Sequence, residues 1–550
     1  MKPTKKLMEI VKVLYEKRTF PWDFYFMAMA EADWREGRAD LPATKSFFIR
    51  KAPFNGSYCL LGGITDAIST TDDLRFNTEE FIEGAIRMGS SPEFVKWLSE
   101  REKLHVKIIG GKEGTVFFPH EPIVSVQGPL ADIRLVEGIL THSLNFSSLS
   151  LTKWFRVVHA ARPGSVMEFS LRRSQDARRA SLNAMLAGCT ATSNCDLGGY
   201  ADVRVAGTMG HEYIMGHGDV ATAFDRWLEN QPHRPVGLID TLQTLQHDFP
   251  AWLNAVYKHR ERILAANPPF WGWRNDSADL GYLAVEQYRR FMDHSLSRMV
   301  WFRDNMRDIL TNELDEYTIT DITNQIRNDA EPAGLDVNDL RSKIIWAPGT
   351  RPGVCEDQPS LGGVAKLMEI TGNPTLKPAL DSDGNPGTKT SIPGYNLSCL
   401  VPNGDKSIAC CLIYPARRYR LVSDDAGGLC LHDMEKGETP NYITAMHKDT
   451  STSYMMLPNK GLVQQQYVLF DSSKRNHNTD YIPEEGVSDM DLSLDDTIED
   501  VTKRIHEGID RLHFTMTSRL VKPYTIKVSV TPDLFELRNS MLKDRVLIRR

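Results

Sequence analysis

Residues 166–346 predict an α/β fold organised around a parallel sheet, on three observations. Short apolar segments at 166–169, 236–239 and 344–346 alternate with longer helical segments at 176–187, 250–266 and 280–293. Strand, loop and helix in alternation build a parallel sheet, either open or closed into a barrel. The polar motifs of this stretch also fall directly after the apolar segments. Both architectures place their chemistry there, in the loops at the carboxyl ends of the strands.

The flanking elements follow in chain order. Residues 1–20 read as a helix with Leu7, Ile10, Val11 and Leu14 on one face. Residues 47–49, 116–118 and 123–126 are strand-like, and 129–144 has helical periodicity. Residues 381–394, rich in Gly, Pro, Asp and Ser, form a turn-rich connector. Strands return at 409–414 and 466–470. Near the end, Ile498, Val501, Ile505, Ile509 and Leu512 mark one helix face, and Ser493 with Asp496 has capping-box spacing.

Composition bounds the partners. The 550 residues carry a formal net charge of −7, and 41% are hydrophobic and 25% charged. These are values of a globular chain. The mildly acidic balance argues against nonspecific nucleic-acid binding, so anionic substrates must be met by local Arg and Lys clusters. None of the 8 cysteines forms a C-x-x-C pair or sits at zinc spacing from a histidine. They read as reduced thiols of a cytoplasmic protein. No apolar run is long enough to span a bilayer, and the N-terminus lacks the apolar core of a signal peptide.

Five motifs carry the candidate chemistry. Phe169-Ser170-Leu171-Arg172-Arg173 puts paired arginines at a strand end, where they can meet phosphate oxygens; a solvated basic turn explains them equally well. Thr192-Ser193-Asn194 suits a ligand-binding turn, although an ordinary capped loop is the commoner origin. His211 stands in the Gly-rich run 207–212, within reach of a ligand, and a zinc role with His217 fails for want of a third ligand. Arg274 is followed by Asp276 and Asp279, which can hold Mg²⁺ with substrate oxygens or merely decorate a helix start. Gly349-Thr350-Arg351, after an apolar strand, can cradle a phosphate with backbone N–H groups.

The motifs in this order resemble nicotinate phosphoribosyltransferase, a type II phosphoribosyltransferase, over almost the whole chain. Asp23-Phe24-Tyr25 with Met29 is similar to the family's T-D-x-Y-x-L-T-M, with Trp22 in place of its Thr. Residues 48–56, FIRKAPFNG, resemble F-x-R-x-x-P-F-x-G, and 169–173 resemble F-G-x-R-R. Thr192-Ser193-Asn194 matches G-T-S-N, Gly207-Thr208 with His211 matches G-T-x-x-H, and Asp240-Thr241 matches D-T. Residues 274–279 resemble R-x-D-S-G-D, and 314–317 L-D-E-Y. Residues 349–351 with 361–367 resemble G-T-R and L-G-G-V-x-K-L. Pro523-Tyr524 and Val528-Ser529 resemble the tail of the family's long form. Ser170 and Ala278 depart from family glycines, each adding a side chain that could crowd a ligand, and Gly210 replaces a common Ala.

The resemblance implies an irregular, incomplete α/β barrel packed on an α/β sandwich. The expected divisions are an N-terminal helix and sandwich domain at 1–165, the barrel at 166–375, and a C-terminal segment at 376–550 that completes the sandwich and covers the barrel. It further implies a homodimer with shared active sites, which joins nicotinate to phosphoribosyl pyrophosphate with ATP hydrolysis, as part of NAD biosynthesis. Phe169 and the neighbouring subunit's Tyr25 would sandwich the pyridine ring. Arg274, with Thr208, would face the carboxylate, and the 192–194 loop would line the base. Arg172, Gly349, Thr350 and Arg351 would hold phosphates. Asp276 and Asp279 would face ribose, diphosphate or Mg²⁺, with Asp279 the metal ligand. ATP would phosphorylate His211.

A nicotinamide phosphoribosyltransferase would place an Asp near the Thr192 loop, where Ser193 and Asn194 stand here. A silent nucleotide-binding relative would have no need of His211, Arg274, Asp279 and Arg351. A barrel hydrolase needs its two acids across the scissile bond, whereas Asp276 and Asp279 are one helical turn apart.

Overall fold

The computed structural model describes residues 19–378, 389–405, 407–424, 427–447, 453–472, 496–517 and 525–547, together with Leu7 and Val11. Most of the expected N-terminal helix, residues 381–388 of the connector, Ser493 and Pro523-Tyr524 lie outside these. The chain forms two compact units, one of residues 150–359 and one of residues 1–149 with 360–550.

The unit of 150–359 is the predicted parallel sheet, curled into an incomplete barrel. Its strands are β1 (Ser165–Glu168), β2 (Ala191–Thr192), β3 (Val236–Leu238), β4 (Trp271–Asn275), β5 (Met306–Leu310) and β6 (Ile344–Trp346). The order in the sheet is β2-β1-β6-β5-β4-β3, and every pairing is parallel. The last strand in sequence thus pairs with the first. The ring of ladders stays open on one seam, between β2 and β3.

Met167, Ala191, Val236, Ile309 and Ile345, one from each of five strands, share an apolar cluster. On β4 the alternation of the pleat sends Trp271 and Trp273 toward the helices. There Trp273 meets Phe249 with ring centroids at 4.9 Å, and Trp271 meets Phe302 at 5.5 Å. Gly272 sits on the opposite face, where a Cβ would lie 1.8 Å from the carbonyl oxygen of Arg307, so only glycine lets β4 approach β5 this closely.

The unit of 1–149 and 360–550 is built from two six-stranded sheets. The first is antiparallel throughout and joins distant parts of the chain. Pro42–Phe48 lies between Val364–Ile370 and Val124–Pro129, and Lys107–Gly110 pairs with Tyr467–Asp471. The second takes strands from 396–464 and adds Lys527–Val530, whose pairing with Ile408–Pro415 is parallel. N-terminal and C-terminal segments therefore complete one another's ladders.

Several boundaries move for local reasons. The helix expected at 129–144 runs from Leu130 to Ala161, because its Ser and Thr positions are buried rather than terminal. The helix expected at 250–266 is two helices, Phe249–Lys258 and Arg260–Ala266, broken at His259, whose side chain turns to Asp225 at 3.0 Å. The apolar face from Ile498 to Ile509 is buried as read, but the capping box is formed by Thr497 and Asp500. None of the eight cysteines forms a disulfide, and no described helix is long and apolar enough to cross a membrane.

Candidate active site at the strand ends of the barrel

Glu168, the last residue of β1, is fully buried, and its carboxylate organises the first loops. It accepts hydrogen bonds from the Ser170 N–H at 2.5 Å, the Ser170 hydroxyl and the Thr192 hydroxyl. The ends of β1 and β2 are thereby tied together by one anion. The carbonyl of Ser170 in turn accepts from the N–H groups of Arg173 and Ser174 at 2.9 and 3.0 Å, closing a tight turn. Arg172 is left exposed on that turn. Arg173 reaches across to donate to the Thr350 hydroxyl at 2.7 Å. Close approach continues at Gly349, where a Cβ would be 2.9 Å from the Phe169 carbonyl oxygen.

The open edge of β2 is used. Thr192 N–H donates to the Arg204 carbonyl at 3.0 Å, and Ala206 N–H to the Thr192 carbonyl at 2.9 Å. This short bridge delivers Thr208 and His211 to the strand ends. The His211 Nδ1 lies 3.1 Å from the Thr241 hydroxyl, and Nε2 lies 3.8 Å from Asp240 Oδ1. Asp240 follows β3, is nearly inaccessible, and accepts on Oδ2 from the Asp276 N–H at 2.9 Å and the Ser277 hydroxyl at 2.5 Å. Its Oδ1 accepts no hydrogen bond among the described residues and is left facing His211.

Arg274, on the strand-end side of β4, is held by three partners. Nε donates to Thr311 Oγ1 at 3.2 Å, Nη1 to Thr208 Oγ1 at 3.1 Å, and Nη2 lies 3.0 Å from Asp276 Oδ2. The Thr311 hydroxyl also stands 2.5 Å from Asp276 Oδ1, so both oxygens of that carboxylate are engaged. A guanidinium has five N–H donors. Two remain here, one on each Nη, which is the number a carboxylate takes in a bidentate pair. With 15% of its side chain exposed, Arg274 is reachable yet largely withdrawn from water.

The structure brings Phe169, Arg172, Thr192, Ser193, Asn194, Arg274, Asp276, Asp279, Gly349, Thr350 and Arg351 together in one unit, at or soon after its strand ends, with Thr208 and His211 in the same unit beyond the 204–206 bridge. Tyr25 belongs to the other unit. It is half-exposed at the start of the helix Phe24–Arg35, and burial of its ring with the charges of Glu137 and Asp23 raises its pKa. Thr192 and Asn194 are fully buried. Asn194 caps the helix Cys195–Tyr200 and donates to Ser181, so of this loop only Ser193 is partly open. Arg351 is met by Asp315 at 3.3 Å, Glu356 at 3.2 Å and Glu313 at 3.6 Å.

Asp279 is exposed, caps the helix Leu280–Asp293 through the Tyr282 N–H at 3.0 Å, and takes the Gln325 amide at 2.9 Å. No group of three or more His, Cys, Asp or Glu side chains among the described residues is placed to hold a metal. One exposed carboxylate fits a largely hydrated Mg²⁺ that arrives on a substrate diphosphate, rather than a metal caged by protein.

Glu168, Thr311 and Gln325 were not singled out from sequence, and Asp240 and Thr241 only by motif. The signal for Glu168 and Asp240 was present: an acid closing an apolar strand must find donors when buried. The two departures from family glycines also find places. Ser170 is buried and its hydroxyl is turned toward Glu168. Ala278 has φ +67°, in the left-handed region, so this turn does require the backbone that glycine supplies freely.

Residues 21–145 match the family described as nicotinate phosphoribosyltransferase N-terminal domain. The nicotinate phosphoribosyltransferase of Bacillus subtilis is 29% identical over 376 residues, which cover 68% of this chain and 71% of that protein. The human protein of that name is 26% identical, over 70% of this chain and 77% of its own. The chain is a relative of the nicotinate phosphoribosyltransferases. Its fold agrees with this: the crystal structure of human nicotinic acid phosphoribosyltransferase superposes with a TM-score of 0.69 at 20% identity, covering 94% of this chain and 99% of that one. A nicotinate-nucleotide pyrophosphorylase from Pyrococcus furiosus gives 0.52 at 15% identity, covering 89% and 94%. The incomplete barrel is thus the type II phosphoribosyltransferase fold in this relative.

In this relative Ala278→Gly is expected to stabilise. Left-handed backbone costs an L-residue about 1–2 kcal/mol, and the looser unfolded chain of a glycine returns roughly 0.4–1 kcal/mol of that. A net gain of a few tenths to 1 kcal/mol should appear in urea melts. A loss of stability would show that Ala278 is not strained.

Proposed function

We propose that this protein joins nicotinate to the phosphoribosyl group of phosphoribosyl pyrophosphate, giving nicotinate mononucleotide and pyrophosphate in NAD biosynthesis. The reading is carried by Arg274. It is an oriented, part-buried guanidinium with two free N–H donors at the end of a barrel strand. The names of the relatives point the same way. A carboxylate there accepts from both free N–H groups in a charge-assisted pair, whereas an amide offers one acceptor and sets its NH₂ against the other donor, a loss of order 1.5–3 kcal/mol.

The pyridine nitrogen brings its own lone pair, so attack on C1 needs no proton removed. As the N–C1 bond forms, the C1–O bond breaks and its electron pair leaves with pyrophosphate. Asp279 would hold Mg²⁺, which when bound would supply charge stabilisation to the leaving diphosphate. Arg172, Gly349, Thr350 and Arg351 hold the phosphates. Phe169 takes one face of the ring, and Tyr25 of a second copy of the chain takes the other. ATP enters as a co-substrate that phosphorylates His211, whose imidazole is set by Asp240 and Thr241.

Nicotinate and nicotinamide are to be compared with phosphoribosyl pyrophosphate, with and without ATP. Wild type should strongly prefer nicotinate, and Arg274→Ala should raise KM for nicotinate at least about tenfold, the equivalent of 1.4 kcal/mol, with little change for phosphoribosyl pyrophosphate. Equal use of the two bases sinks the reading.

Mixing Tyr25→Ala and Arg274→Ala subunits under conditions where subunits exchange, at nicotinate well below the raised KM of either variant, should raise activity above that of each alone, because each mixed dimer holds one intact site. Exchange without recovery would place Tyr25 outside the site.

Labelled ATP should leave an acid-labile, base-stable phosphoryl group on His211. His211→Ala should abolish ATP hydrolysis and its stimulation of transfer while retaining a slow ATP-independent reaction. Full stimulation in the variant would assign His211 to the loop alone.

A further inference from the structure

Behind Arg274 the barrel wall holds a polar group that the reaction above does not use. Arg274 and Asn275 are adjacent on β4, so their side chains leave opposite faces of the strand. Asn275 turns toward the helix Leu280–Asp293 and exchanges two amide hydrogen bonds with Gln287, Nδ2 to Oε1 at 2.9 Å and Nε2 to Oδ1 at 2.8 Å. The same Asn275 Nδ2 donates to Asp308 Oδ1 on β5 at 3.1 Å. All three side chains are essentially inaccessible. The Asn275 carbonyl also accepts from the Thr311 N–H at 2.9 Å, and Thr311 is the residue that touches both Arg274 and Asp276.

We infer that Asp308 is a positioning residue that, through Asn275 and Gln287, fixes the end of the strand presenting Arg274 and Asp276. The inference rests on the nicotinate reading of Arg274. A triad joining two strands and a helix locks the register at the place where the strand ends and its ladder bonds stop. Apolar packing would not impose that register, because it has no direction.

The triad is also sensitive to protons. Burial pushes the Asp308 carboxyl up to about 8, opposed only by the Asn275 hydrogen bond and the nearby Trp273 indole N–H. The groups facing it are those two from β4 and, through Asn275, Gln287 from the helix; no charged side chain contributes to its titration. Asp308 Oδ2 and the Trp273 indole N–H both lack a partner within hydrogen-bond distance. Ionisation puts an unpaired buried charge there, and the Asn275 amide and the indole must move toward it. The folded-state pKa is raised, so the ordered triad is favoured at low pH and lost as pH rises through about 8.

The test is the nicotinate KM of the full-length enzyme at pH 7 and pH 9, for wild type and Asp308→Asn, with the KM for phosphoribosyl pyrophosphate measured alongside. Wild type should show a rise of about fivefold or more for nicotinate, since the neutral fraction of a group titrating near 8 falls from about nine-tenths to one-tenth over that range. Asp308→Asn cannot ionise and should change less than about twofold between the two pH values. The phosphoribosyl pyrophosphate KM should change less, because its proposed phosphate contacts at Arg172, Gly349, Thr350 and Arg351 follow other strands. If Asp308→Asn does not fold, Gln287→Leu serves. It opens the triad without touching the carboxyl and should raise the nicotinate KM at both pH values. A wild-type KM that is flat, a variant with the wild-type pH ratio, or a lowered Tm with nicotinate KM unmoved overturns the inference and leaves Asp308 a core residue. A wild type that does not use nicotinate at any pH removes the functional reading itself and this inference with it, whereas an active enzyme with unresponsive variants removes this inference alone.

Discussion

Two buried carboxylates carry the geometry of the barrel mouth. The ladder of the sheet is broken between β2 and β3, so the loops beside that seam lack the neighbour that a closed barrel supplies. Glu168 stands on one side of the gap and Asp240 on the other, each closing its strand and each withdrawn from water. A buried anion is costly unless several donors meet it. That penalty works as a constraint: Ser170 and Thr192 must come to Glu168, and Asp276 and Ser277 must come to Asp240. Four loops are thereby fixed by charge–dipole contacts where backbone pairing stops.

The same break gives the mouth its reach. Because β2 is an edge, residues 204–206 can pair with it and carry the chain onward to Thr208 and His211. A closed barrel would have a strand in that position. Thr208 then meets Arg274 from one side while Thr311 meets it from the other, so the guanidinium is oriented by β2, β4 and β5 together. Side chains fixed by several independent elements lose little further freedom on binding a ligand.

How far this was legible in the sequence depends on the face that each residue serves. The strand Ile344–Trp346 and the helix Leu280–Asp293 were read to the residue, because one is a short apolar run and the other has clean periodicity with an acid at its start. β4 and β5 were not read. Arg274 and Asn275 in one, and Arg307 and Asp308 in the other, look like solvent-facing residues, yet they are buried or half-buried and engaged with one another's loops. The helix from Leu130 was read too short for a related reason. Its serines are packing residues: Ser143 and Ser147 lie where a Cβ on Gly63 or Gly62 would collide with them. Motif resemblance pointed to candidate residues that periodicity did not single out. It could not show that Thr192 and Asn194 serve the scaffold, since a short hydroxyl or amide looks the same whether it faces a ligand or a helix end.

The proposed phosphate end shows how a chain of net charge −7 can still receive an anion. Arg351 is surrounded by three carboxylates, but they are not equivalent. Glu313 and Glu356 have side chains 72% and 60% exposed, while Asp315 is 13% exposed and also forms the capping box of the helix Glu316–Ala330. Exposed ion pairs contribute at most about 1 kcal/mol and exchange readily with an incoming charge. On the proposed reading the two glutamates are the replaceable partners, which a substrate phosphate would displace from the guanidinium. Asp315 is bound into its helix start and stays, keeping one edge of Arg351 fixed while the other changes partners. The helix behind it is anchored in turn, because Glu316 takes Arg156 and Lys153, both at 2.7 Å, in a buried cluster. Orientation thus comes from the buried acid and exchange from the exposed ones, and a diphosphate need only compete with the latter.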